Sequence, residues 1–309
     1  MNTRKLAGVI LFSYITLQTV CAQDVSKDVR AQEKSRFSFG VVADIQYADA
    51  EKKGERDYRN SLNKLETCVR EFNGHDLSFV ISLGDMIDHD FISFDKPLSI
   101  LENLKAPRYN VPGNHDFEVE DKFKGQVRKR LDNRDGYFNF EVNGMVFIVL
   151  DGSSLSTFAY VKDSKKYNAA LLKLGELKNQ GLNNANLWNG GIGDKQFMWL
   201  GNQLEKADRL NKKVVCFCHW PLLPENGTQL WNNREVTELL NKHHSVVAWI
   251  AGHHHEGGYE KSGNIHYLIL KGMVEAKSET SCGIIEVFSD KLVLKGYGDQ
   301  KDQVMDFPR

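Results

Sequence analysis

The sequence predicts an α/β fold with the chemistry gathered at strand ends, on three observations. Continuous apolar runs recur along the chain, as in FSFGVVA (37–43) and LSFVISL (77–83). Stretches of helical periodicity separate them, such as Leu62, Leu65, Val69 and Phe72. Each run stops at a small cluster of Asp, Asn, Gln or His. Runs of this kind suit strands covered on both faces, and their alternation with helices suits parallel pairing.

Taken in order, 37–43 is a strand, 57–73 a helix, 77–83 a strand, 94–105 a helix and 108–111 a short strand. This βαβαβ order predicts a parallel sheet with helices on its faces. Residues 118–135 alternate Lys and Arg with Asp and Glu and read as a solvated helix face. The sharper reading turns one or two of those cations toward an anionic substrate. Residues 137–151 carry Asn143-Gly144 between apolar runs, a hairpin signal. Residues 152–192 have few signals and read as a short helix plus loops covering the site. A helix over 194–210, a strand over 214–218, a helix over 233–243 and a strand over 246–251 follow, then short strands to the end. With no repeat or linker, 36–309 is expected to be one domain.

The N-terminus is set apart. Arg4 and Lys5 precede an uncharged stretch (6–17), then Val20-Cys21-Ala22. This is the pattern of a secretory signal peptide over 1–22, cleaved after Ala22, with a polar leader over 23–35. It predicts a secreted or periplasmic protein with no membrane attachment after cleavage. An uncleaved anchor and a lipoprotein linked through Cys21 are the other readings, and Val20 fits the latter poorly. Of the remaining cysteines Cys68, Cys216, Cys218 and Cys282, the pair Cys216 and Cys218 faces one side of a strand and reads as small core residues. No disulfide is assigned.

Composition narrows the function. The 309 residues carry a net charge of −1, with 41% apolar and 26% charged residues. That excludes a mainly disordered, collagen-like or many-span membrane chain. Near-neutral charge with no basic stripe argues against nucleic acid as partner. No Gly-x-Ser-x-Gly elbow and no Gly-x4-Gly-Lys-Ser/Thr loop occurs.

Five clusters follow the strands: Asp44-Ile45-Gln46, Gly84-Asp85-Met86-Ile87-Asp88, Gly113-Asn114-His115-Asp116, His219, and Gly252-His253-His254-His255. Groups beyond strand C-termini converge on one crevice in such sheets. Their mixed nitrogen and oxygen donors suit Mn²⁺, Fe or Zn²⁺. Seven donors exceed one ordinary site and suit two metals sharing a carboxylate, an arrangement that clamps phosphate.

This ordered set resembles the calcineurin-like metallophosphoesterase superfamily over roughly residues 36–298. The resemblance implies a four-layer α/β/β/α sandwich and a dinuclear centre. It implies Asp44, Gln46, Asp85 and His255 as ligands of one metal, and Asp85, Asn114, His219 and His253 as ligands of the other, with Asp85 bridging. It implies that His115 assists the leaving oxygen, that Asp116 orients His115, and that Asp88 supports rather than ligates. Gln46 departs from the superfamily's usual His. Its harder amide oxygen favours Mn²⁺, and Gln here is shared with the manganese-dependent ADP-ribose/CDP-alcohol diphosphatase branch. Asn189-Gly190-Gly191, Gly252–Tyr259 (GHHHEGGY) and Lys271-Gly272-x-x-Glu275 also resemble that branch.

The implied activity is hydrolysis of the phosphoanhydride in nucleoside diphosphates linked to a sugar or alcohol, by a hydroxide bridging the metals. The partner is thus a small nucleotide, and the oligomeric state is not indicated. In that branch the loop after Asp-x-Gln helps hold the base, often with an aromatic. Here its aromatics are Tyr47 and Tyr58, read as packing residues. Trp188, Trp220 and Trp231 also read as packing residues, with stacking on a base as the second reading. The competing functions are another metallophosphoesterase activity, on phosphomonoesters or cyclic nucleotides, and a non-catalytic binding module on the same fold.

Overall fold

Phe39, Phe79, Phe147 and Phe217 meet between two six-stranded sheets. Phe39 stacks on Phe79 at 4.7 Å, and Phe147 on Phe217 at 5.9 Å. Such aromatic contacts add to the area they bury. The architecture comes from a computed structural model that describes residues 34–133 and 135–308. The expected signal peptide, and the leader up to residue 33, lie outside the described residues.

The strands are β1 (Phe37–Val42), β2 (Val80–Ser82), β3 (Arg108–Asn110), β4 (Phe138–Val142), β5 (Met145–Val149), β6 (Val214–Phe217), β7 (Val246–Ala251), β8 (Gly258–Ser262), β9 (Ile265–Ile269), β10 (Ser281–Val287), β11 (Lys291–Gly298) and β12 (Gln303–Asp306). The helices are α1 (Ser61–Asn73), α2 (Asp95–Leu101), α3 (Asp121–Lys124), α4 (Val127–Arg130), α5 (Lys165–Asn179), α6 (Asp194–Arg209) and α7 (Asn233–Asn241). One sheet runs β12-β11-β10-β1-β2-β3 and the other β4-β5-β6-β7-β9-β8, with helices flanking them. Among the described residues, no helix is long and apolar enough to cross a membrane.

The sheets are mixed, not parallel throughout. β1, β2 and β3 are parallel, but β10 pairs antiparallel with β1, and β11 and β12 continue antiparallel. In the second sheet β5, β6, β7 and β9 are parallel, while β4 and β8 run antiparallel at the edges. The reason is connectivity. Two-residue turns at 143–144 and 263–264 and short loops after β10 and β11 return the chain antiparallel, whereas the helical crossovers between β1 and β2, β2 and β3, β5 and β6, and β6 and β7 keep those pairs parallel. At Asn143 (φ 47°) and Gly144 (φ 82°) both turn residues lie in the left-handed region, as the predicted hairpin requires.

Two stretches differ from expectation. Among the described residues of 118–133, the helical segments are the single turns α3 and α4, with Gly125 between them. The poorly signalled 152–192 stretch holds a 15-residue helix, α5, capped by the Ser164 hydroxyl, which accepts from the Tyr167 amide at 3.3 Å. Its periodicity was blurred because Leu171 and Leu172 face solvent beside buried Ala170 and Leu174. The four described cysteines are free and buried.

Candidate metal centre

All five clusters sit just past the ends of β1, β2, β3, β6 and β7, and the fold brings them together. The backbone there is unusual. Asp44 (φ 53°), Gln46 (φ 44°), Asp85 (φ 52°) and His253 (φ 68°) are all left-handed. Non-glycine residues hold such angles only where surroundings enforce them, and they concentrate at functional sites. Two motif glycines make room. A Cβ at Gly113 would lie 2.2 Å from the Asp85 carboxylate, and one at Gly84 would lie 2.5 Å from His219 Nδ1.

The first donor group joins β1 to β7. Asp44, fully buried, accepts from the His253 amide at 3.1 Å and lies 3.3 Å from His255 Nε2. Gln46 Nε2 donates to Asp85 Oδ2 at 3.3 Å, while its Oε1 is buried with no hydrogen-bond partner. Glu275 Oε1 lies 3.3 Å from His255 Nδ1 and also accepts from Arg56 at 3.0 Å.

The second donor group joins β2, β3, β6 and β7. His219 Nε2 lies 3.2 Å from Asp85 Oδ2, 3.3 Å from Asn114 Oδ1 and 3.1 Å from His253 Nδ1. The Leu83 carbonyl accepts from His219 Nδ1 at 2.7 Å. Ligand atoms of Asp85, His219 and His253 all lie within 4.8 Å of one another. Asp85 Oδ2 touches members of both groups, and its Oδ1 accepts from the His115 amide at 2.8 Å.

The donor chemistry fits a pair of cations. The Leu83 carbonyl holds the proton of His219 on Nδ1, so Nε2 points inward as a donor atom. The buried Gln46 oxygen has no hydrogen-bond partner among the described residues. Burial opposes charging of His219 and His255, but Asp85 raises His219 to about 9, and Asp44 and Glu275 raise His255 to about 10. Burial and the neighbouring His219 charge push His253 well below its ordinary value. Burial would raise Asp85, yet His219 and His115 hold it well below the carboxylate range.

One expected role is corrected. Asp116 does not orient His115. Its Oδ2 accepts from the amides of Gly113 and Asp85 at 2.8 and 3.1 Å, and its Oδ1 from Met86 and Ile87 at 2.8 and 3.3 Å. With both oxygens used by backbone donors, it pins the loops that carry Asp85 and Asn114. The group at His115 Nδ1 is Asp88, with its carbonyl at 3.2 Å and Oδ1 at 3.3 Å.

Sequence reasoning also left Asn189, Arg56 and Glu275 without roles at the centre. Asn189 and Glu275 belonged to quoted motifs, yet nothing local says that they meet His253 and His255. Arg56 carried no signal. A cavity of about 380 Å³ opens over the centre, lined by Gln46, Asp85, Asn114, His115, Arg56 and Trp188 among others.

A two-sheet sandwich whose strand ends hold two nitrogen and oxygen donor groups around one shared carboxylate defines the class, a metal-dependent phosphoesterase. Residues 37–257 match the calcineurin-like phosphoesterase family, and the chain belongs to that family. It is 33% identical to the manganese-dependent ADP-ribose/CDP-alcohol diphosphatase of Arabidopsis thaliana, over 86% of this chain and 96% of the relative. It is 30% identical to the protein of that name from Xenopus laevis, over 90% and 92%. Among solved structures, a dimetal phosphatase from Danio rerio superposes with a TM-score of 0.82 at 26% identity, covering 89% of this chain and all of that one.

Proposed function

We propose that the protein hydrolyses the phosphoanhydride of nucleoside diphosphates linked to a sugar or alcohol, with ADP-ribose and CDP-alcohols as substrate types. The observation that carries this reading is the roughly 380 Å³ cavity over the shared carboxylate, with His115 and Arg56 both in its wall. Relatives of about 30% identity that span nearly the whole chain bear the corresponding name. Asp44, Gln46, Asp85 and His255 would hold one metal, and Asp85, Asn114, His219 and His253 the other. The hard oxygen of Gln46 favours Mn²⁺. When bound, the ions supply Lewis-acid charge for the phosphate oxygens and acidify the attacking water.

The chain's own groups do the rest. Asp116 fixes the loops bearing Asp85 and Asn114 by four amide hydrogen bonds. With the Asp88 carbonyl and carboxylate beside Nδ1, His115 in its doubly protonated form would present Nε2–H to the oxygen of the departing phosphate. Arg56, held by Glu275, keeps a permanent positive charge where a diphosphate would lie. The water oxygen bonds to one phosphorus as the anhydride P–O bond breaks, the leaving phosphate takes the proton from His115, and the proton lost by the water passes to solvent. The work is positioning and charge stabilisation.

The N-terminal pattern supports an exported enzyme, which mass spectrometry of the secreted or periplasmic form would test by finding Gln23 as the first residue. The activity is tested with ADP-ribose, CDP-choline, a cyclic nucleotide and p-nitrophenyl phosphate, each with Mn²⁺, with Asn114→Ala as control. Release of AMP and CMP, lost in the variant, is expected. Turnover of only the cyclic or monoester substrate would overturn the diphosphatase reading, and absence of both turnover and metal binding would favour a binding module.

A further inference from the structure

Four of the five aromatics weighed for the base are the packing residues the sequence suggested and are not available to it. Tyr47 is 3% exposed and Tyr58 6%, both closed into packing. Trp220 and Trp231 are buried as well. Trp188 alone of these five is open, at 53% exposure, and it stands in the wall of the cavity over the donor groups. No other Phe, Tyr or Trp lines that cavity among the described residues. An indole half in water in a cavity wall leaves aromatic surface open to a ligand in that cavity.

The segment bearing it is held rigidly. The Trp188 carbonyl accepts from Trp220 Nε1 at 3.2 Å. The next residue, Asn189, binds His253 Nε2 and donates to the carbonyls of Asn184 and Gly227. Trp231 donates its amide to Gly190 and its Nε1 to the Asn186 carbonyl. The backbone around Trp188 is therefore fixed one residue from Asn189, which holds the donor His253, so little backbone freedom remains to be lost when a ring stacks there.

We propose that Trp188 is the base platform of this enzyme, stacking on the nucleobase of the substrate while the diphosphate lies between Arg56 and the donor groups. The inference rests on the nucleotide-substrate reading and adds the residue that recognises the base. Stacking on the indole face accepts both adenine and cytosine, because every base presents a π-face. It also moves base recognition from the loop after Gln46 to the segment before Asn189.

The test compares wild type, Trp188→Ala and Trp188→Phe on ADP-ribose and p-nitrophenyl phosphate, with AMP and ribose 5-phosphate binding followed by tryptophan fluorescence. Loss of one stacking contact is expected to raise KM for ADP-ribose roughly 10-fold with kcat little changed, and Phe restores most of it. AMP, but not ribose 5-phosphate, quenches the wild type, and that quenching disappears in Trp188→Ala. An unchanged KM for ADP-ribose in Trp188→Ala, or equal quenching by AMP in both proteins, overturns the platform while leaving the diphosphatase reading intact. A wild type that ignores ADP-ribose overturns that reading. AMP quenching lost in Trp188→Ala would then still support base stacking, and its persistence would refute it.

Discussion

Asn189 fixes the tautomer of His253. The Asn189 amide nitrogen donates to two carbonyls, Asn184 at 2.9 Å and Gly227 at 2.8 Å, so its oxygen must face His253 Nε2, 2.9 Å away. That ring nitrogen therefore carries the proton. Nδ1 is left as a lone pair, 3.1 Å from His219 Nε2. Two imidazoles thus turn donor atoms toward one point, and the protein sets each one through the opposite nitrogen.

Replacing Asn189 should therefore weaken one metal and spare the other. Asn189→Leu is expected to lower affinity for one of two Mn²⁺ ions about 10- to 100-fold. Calorimetric titration of metal-free protein would show the change, and two unaltered sites would refute the role.

Asp88 is expected to govern His115. Asp88→Asn removes the carboxylate beside Nδ1 and should lower kcat on the order of 10²-fold while both metals stay bound. Asp116→Asn should behave differently, loosening the loops of Asp85 and Asn114 and reducing metal content. Metal analysis beside kcat separates the two, and matching profiles would show that the division of roles is wrong.

Metal loading should depend on pH with a definite sign. His219 is raised from 6.5 to about 9, so metal-free protein holds its proton at neutral pH. A metal must displace that proton, so affinity falls as pH drops below about 9. The stability that this imidazolium gives metal-free protein is full below about 6.5 and lost as pH rises through about 9. Titration in two buffers of different ionisation enthalpy would reveal the released proton. Thermal melts of metal-free protein across that window check the stability arm.

Gly113→Ala should damage the centre without touching a donor. Its Cβ would lie 2.2 Å from Asp85 Oδ1 and 2.5 Å from the Asp85 amide, so the shared carboxylate must move. The overpacking is expected to cost about 1–3 kcal/mol of stability together with loss of metal. A fully loaded variant with unchanged melting would refute this reading.

Much of this protein was legible before its structure. The apolar runs before Asp44, Asp85 and His253 placed three buried strands, and the order of the clusters named the donors that the fold gathers. Both signals are local, since a strand buried on two faces must be apolar along its length and the donors follow it directly in the chain. The tertiary structure alone decided what lies opposite what. Mixed strand direction, Asn189 on His253 across 64 residues and Arg56 on Glu275 across 219 depend on packing between distant segments. The assignment of Asp116 failed for the same reason. Adjacency to His115 in sequence suggested contact, but the turn that begins at His115 points the carboxylate back into the amides of Asp85 and Gly113, and a carboxylate in that position is held by the four donors it meets.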